Sequence, residues 1–221
     1  MDFAAGALVF PGGAVDQADR DLARAIDRSE SLEETAARIA AIRETLEESG
    51  LAIGFASSPN LAQTNELRDA LMQGDPLSTV IQSHELELAL DQLVPFSRWH
   101  PSGAERAIRV YDTRFYVVRA PEGQVASVDS TENVRLFWKG AQATIDLCEA
   151  GHGRIIYPTR RNLERLALFD SYEAIVAHAA SFPVEKVSPW VEERDGERHL
   201  CIPDHLGYPI TSEPMGSVRR G

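Results

Sequence analysis

The chain has 221 residues, 43% of them apolar and 25% charged, with a formal net charge of −12. That suits one large or two small globular domains with a sizeable core. The carboxylate excess argues against sequence-independent binding to DNA or RNA, which needs a basic face to release phosphate counterions. A small phosphorylated ligand stays open, because divalent cations can bridge carboxylates to phosphates. No run approaches the roughly 18 apolar residues of a membrane-spanning helix, and no basic flank precedes the apolar N-terminal segment, so no membrane contact and a cytoplasmic location are expected. Cys148 and Cys201 lack metal-ligand spacing and read as small buried hydrophobes.

In chain order, "ALVF" at 7–10 predicts a short strand broken by Pro11, Gly12 and Gly13. The charged stretch "ADRDLARAIDRSE" has helical periodicity, and Ser31 with Glu34 three residues on makes a capping box. From there a helix is predicted to Ser49, stopped by Gly50. "NELRDALMQG" and "DPLSTVIQSHELELAL", divided by Gly-Asp-Pro, predict an inserted helical pair within 59–90. Strands are expected at "QLVPFSRW", "IRVYDTRFYVVRA" and "NVRLFWKG", helices at "RNLERLALF" and "SYEAIVAHAASF". A hairpin turning at Asp195-Gly196 forms an extension over 184–210. A single domain over 1–221 is the expected organisation.

The stretch "AAIRETLEESGL" at 40–51 carries three glutamates within five residues. At helical spacing Glu44, Glu47 and Glu48 share one face, while Ile39, Ile42 and Leu46 share about the opposite one. Like charges so spaced are mildly destabilising, and a hard divalent cation would compensate by accepting their oxygens. Arg43, four residues before Glu47, is placed to pair with it. A solvated acidic face is the plain alternative.

"RETLEESGL" at 43–51 resembles the second half of the Nudix box, G-x5-E-x7-R-E-U-x-E-E-x-G-U with U apolar, and departs from it at Thr45. "FPGG" at 10–13 resembles the glycine loop that opens the box, and Asp19 stands where its first glutamate would be counted from Gly13. The two halves are separated by 29 residues rather than 13, so about 16 are inserted, within 20–38. That long gap, with "FSRWHPSG", "RVYDTRFYVV", "ENVRLFW", "RRNLERLALF" and "DGERHLCIP" following in order, is similar to the family branch containing the peroxisomal coenzyme A diphosphatase.

The resemblance implies an α/β/α sandwich with a mixed sheet, hydrolysing a nucleoside diphosphate linked to another moiety. It implies that Glu47 and Glu48 bind magnesium or manganese, that Glu44 is a further ligand or the base, and that Gly12 and Gly13 admit close backbone approach to the site. In the branch it points to, coenzyme A or acyl-coenzyme A is cleaved to 3′,5′-ADP and (acyl-)4′-phosphopantetheine. Of the coenzyme A signature only Gly6-x3-Phe10-Pro11-Gly12-Gly13 is present, which leaves ADP-sugars and dinucleotides as further substrate classes. A nucleotide sensor without turnover is a different class again. Nine residues precede Phe10, so the usual first strand is expected to be missing, leaving a vacant sheet position.

Glu132 stands where many family members carry a late glutamate, or is a surface residue. Arg106, Arg109 and Arg114 either bind substrate phosphates or face solvent, and Trp99 either stacks on adenine or joins the core. His152, His178, His199 and His205 show no metal spacing. A homodimer is compatible with the family, although no heptad or apolar stripe specifies an interface.

Overall fold

The structure is a computed structural model that describes residues 7–26, 31–100, 111–128 and 135–218. The chain divides into two compact units. One comprises Pro11–Leu93 and Val118–Phe137; the other comprises Met1–Phe10, Val94–Val117 and Trp138–Gly221.

The first unit is helical. Its helices are α1 (Gln17–Ile26), α2 (Leu32–Ser49), α3 (Leu61–Met72) and α4 (Leu77–Ser83). Both ends of α2 are encoded locally, as predicted. The Ser31 hydroxyl accepts the Glu34 N–H, and Gly50, at φ 68°, donates its N–H to the Leu46 carbonyl. Ile39, Ile42 and Leu46 are completely buried, so the apolar face of α2 anchors the unit's core with Leu67, Val80 and Leu93. The Gly-Asp-Pro break separates α3 from α4, as expected. The predicted helix does not continue through "HELELAL": α4 ends at Ser83, Phe55 and Leu88 form an isolated bridge, and a 3-10 turn follows at Leu90–Gln92. Leu86, Leu88 and Leu90 alternate with period two, a spacing that suits extended chain.

The second unit holds a mixed sheet of order β2-β1-β3, with β1 (Val94–Trp99) antiparallel to β2 (Thr113–Val117) and parallel to β3 (Lys186–Val187). Asp112 ties its strands together. It accepts two bonds of 2.7 Å from Arg98 and pairs with Lys186 at 3.1 Å, and the Arg98 hydrogen bonds hold its carboxyl well below the usual range. A second sheet joins β4 (Trp190–Arg194), β5 (Glu197–Cys201) and β6 (Ser212–Pro214). The β4–β5 hairpin turns where predicted, with positive φ at both Asp195 and Gly196. Among the described residues, the unit also holds α5 (Ala141–Glu149), α6 (Tyr157–Leu166) and α7 (Tyr172–Ala180). Cys148 and Cys201 are buried, as the sequence indicated, and are not joined in a disulfide.

Two expected strands are corrected, and one helix was not expected. Residues 7–10 form no strand: Leu8 N–H donates to the Arg154 carbonyl at 2.7 Å, but Val9 and Phe10 are exposed and Pro11 ends the run. The described part of "NVRLFWKG", 135–140, is also strandless, with Leu136, Phe137 and Trp138 all exposed. Helix α5 went unpredicted because only Ile145 and Cys148, with Thr144, mark its buried side, too few for a periodic signal. Among the described residues, no helix is long and apolar enough to cross a membrane.

Candidate active site

The predicted acidic face lies on the C-terminal half of α2, and its neighbours come from the glycine-containing loop before α1. Asp16 and Asp19 lock the start of α1 reciprocally: the Asp16 N–H donates to Asp19 Oδ2 at 3.0 Å and the Asp19 N–H to Asp16 Oδ1 at 2.8 Å. Asp19 is thereby buried to 1% exposure and faces Arg43. Arg43 Nε and Nη2 donate to its two oxygens at 3.1 and 2.9 Å, a bidentate fork that fixes the guanidinium plane. Nη2 also donates to the Ala14 carbonyl at 3.0 Å. The remaining nitrogen, Nη1, lies 3.0 Å from Glu44 and 3.1 Å from Glu47.

One arginine therefore joins the loop, α1 and two of the three glutamates. Burial works to lower its pKa, but the bonds and charge of Asp19, with Glu44 and Glu47, outweigh burial and hold it raised. Burial is the main cause that pushes the Glu47 carboxyl up; Arg43 opposes this and Glu44 adds to it.

The glycine loop closes the other side. Gly12 N–H donates to Glu48 Oε2 at 3.2 Å. A Cβ on Gly13 would lie 2.2 Å from Glu44 Oε1, so only glycine lets the backbone pass with the carboxyl in its present position. Residues 24 to 36 positions apart in sequence thus meet around Arg43 and the glutamates. Thr45, the departure from the box pattern, is half-buried.

Among the described residues no three Asp, Glu, His or Cys side chains converge tightly enough to form a metal cage. The donor chemistry nevertheless fits a hard divalent cation: Glu44, Glu47 and Glu48 offer only oxygen, share one face of a rigid helix and stay partly exposed. These three could hold magnesium or manganese.

The other sequence candidates are on other elements or outside the described residues. Arg114 is on β2, opposite Arg98, in the sheet-bearing unit. Trp99 is a core residue: it is 1% exposed, and its indole N–H donates to Tyr208 Oη at 3.0 Å. Glu132, Arg106 and Arg109 lie outside the described residues. His178 accepts a bond from Arg165 Nε at 3.1 Å. Sequence reasoning missed Asp16, whose loop position gave no sign of the reciprocal bonds. It also missed Arg68, which donates to the Glu47 carbonyl but reads in sequence as one charge on an amphipathic helix.

No protein-family model and no curated protein matches the chain. Among solved structures it is similar to a NUDIX hydrolase from Alicyclobacillus acidocaldarius, with a TM-score of 0.63 and 22% identity, over 80% of this chain and 83% of that one. The α/β fold with a mixed sheet is thus the fold of a Nudix hydrolase.

Proposed function

We propose that the protein is a metal-dependent Nudix diphosphohydrolase acting on a nucleoside diphosphate-linked substrate, with coenzyme A or acyl-coenzyme A favoured. One observation carries the reading: Asp19 and the glycine loop converge with Glu44, Glu47 and Glu48 around Arg43, although 29 residues divide the two halves of the motif.

In this reading Asp19 orients Arg43, and Arg43 holds Glu44 and Glu47 on one side of α2. Gly12 steers Glu48 through its N–H, and Gly13 leaves room for the Glu44 carboxyl. Glu47 and Glu48 would hold the metal, with Glu44 as a further ligand or as the base that takes the proton of the attacking water. When bound, magnesium or manganese would neutralise the diphosphate and lower the pKa of a coordinated water. The protein's contribution is a set of fixed, half-buried carboxylates, since positioning and charge do most of the work of phosphoryl transfer. Arg114 and Glu132 are proposed substrate contacts, and a homodimer is the proposed assembly.

Magnesium-dependent release of 3′,5′-ADP from coenzyme A, lost in Glu47→Gln, tests the proposal. Turnover of ADP-sugars or dinucleotides instead would change the substrate and keep the chemistry. Binding without turnover across a nucleotide panel would replace the enzyme with a sensor.

A further inference from the structure

The C-terminal half of α2 carries the acidic face, and the helix's final four carbonyls have no N–H partner within it. Three of them find specific donors from outside it. Leu46 O accepts the Gly50 N–H at 2.9 Å, Ser49 O accepts the Ser127 N–H at 2.8 Å, and Glu47 O accepts Arg68 Nε at 2.9 Å.

Arg68 projects from α3, within the inserted helical pair, and its guanidinium engages a second element at the same time. Nη1 donates to Ser127 Oγ at 2.8 Å and Nη2 to the Ser127 carbonyl at 3.0 Å. Gly50 leaves the room: a Cβ there would lie 3.1 Å from Arg68 Nη1 and 3.2 Å from Ser127 Oγ. Three residues earlier, Gln124 Oε1 accepts the Ala52 N–H at 2.9 Å while its Nε2 donates to Ser58 Oγ and the Pro59 carbonyl. The strap 124–127 is therefore bound both to the end of α2 and to the chain leading into α3.

Resting on the hydrolase reading above, we propose that Arg68 is a positioning residue of the candidate site. It is a cationic C-terminal cap, delivered by the inserted helices, that fixes Glu47 through its own peptide carbonyl. The geometry suits arginine specifically. A rigid fork reaches three acceptors on two segments, whereas an ammonium on a flexible stem cannot hold all three in one plane. A cation here also complements the negative end of the helix dipole. With all three of its nitrogens engaged, the guanidinium works through Glu47 and has no need to touch a ligand.

The test uses the full chain, with Arg68→Met and Arg68→Lys, in two measurements that need no substrate. Mn²⁺ binding is followed by electron paramagnetic resonance, and amide hydrogen exchange is followed across 46–51 and 124–128. Circular dichroism confirms that each variant is folded at the assay temperature. Arg68→Met is expected to weaken Mn²⁺ binding about tenfold or more and to speed exchange in both segments, with Arg68→Lys intermediate. A folded Arg68→Met that binds Mn²⁺ as the wild type does would overturn the proposal, and so would unchanged exchange. If the wild-type chain itself takes up no Mn²⁺, the hydrolase reading fails separately, and the exchange measurement still decides whether Arg68 holds this turn.

Discussion

Two arginine–carboxylate networks, one on α2 and one on α6, use the same chemistry to different ends. On α6, Arg161 is 1% exposed and pairs with Glu213 at 2.7 Å and Glu164 at 3.2 Å; Arg160 pairs with Glu164 at 3.0 Å and with Glu149. Arg165 donates to the Phe96 carbonyl at 2.7 Å and to His178. Cations and anions there nearly balance, and the phenol of Tyr157 beside them is pushed up to about 12, chiefly by burial and against the pull of Arg161. On α2, Arg43 faces Asp19, Glu44 and Glu47, and the glutamates remain partly open to solvent. A balanced, buried network fastens a fold. An accessible acidic face of oxygen donors is chemically suited to a further cation.

Substitutions should separate the two. Arg161→Met strands the carboxylates of Glu164 and Glu213 in a buried setting and should cost about 3–5 kcal/mol in chemical denaturation. Mn²⁺ uptake by the α2 site should be unchanged under conditions where the variant stays folded. Glu47→Gln should do the reverse, lowering metal-dependent turnover on the order of 100-fold with the melting temperature unchanged or higher, because a carboxyl disfavoured by burial has been removed. Asp19→Asn lies between these extremes: it keeps the shape but halves the fork on Arg43, at a cost of about 1–3 kcal/mol together with weaker Mn²⁺ binding. Gly13→Ala should displace the Glu44 carboxyl, reducing turnover about tenfold with little change in melting temperature.

The smallest expected effect is a pH dependence on the α6 side. Burial, then the charge of Arg165, holds the His178 pKa below its ordinary 6.5. The protonated ring is disfavoured in the fold, so its neutral form contributes stability above about pH 6.5 that is lost as pH falls through the lowered value. In His178→Gln that part of the acid dependence should vanish from melting curves taken between about pH 5 and 7. An equal loss in the wild type and the variant would mean that His178 does not contribute.

The α2 side was largely legible from sequence and the α6 side was not. Ser31, Gly50, Ile39, Ile42 and Leu46 act within one helix, so caps and periodicity reveal them. The Asp195-Gly196 turn is legible for the same reason, since its backbone requirement is local. By contrast, Arg161 and Glu213 are 52 positions apart, and nothing in "RRNLERL" distinguishes a buried arginine from an exposed one. Local pattern also misled at 7–10 and 135–140, because β-favouring residues form a strand only where another strand offers them a ladder.

The sequence by itself determined the boundaries of α2, the face on which Glu44, Glu47 and Glu48 stand and the arginine beside them, because helical periodicity and end capping are set by neighbours in the chain. Tertiary structure alone decided that Asp19 clamps Arg43, that Gly12 and Gly13 close on Glu48 and Glu44, and that Arg68 caps the same helix from α3. Those contacts join residues 21 to 36 positions apart. Their partners are chosen by burial and unpaired backbone groups, which no local pattern encodes.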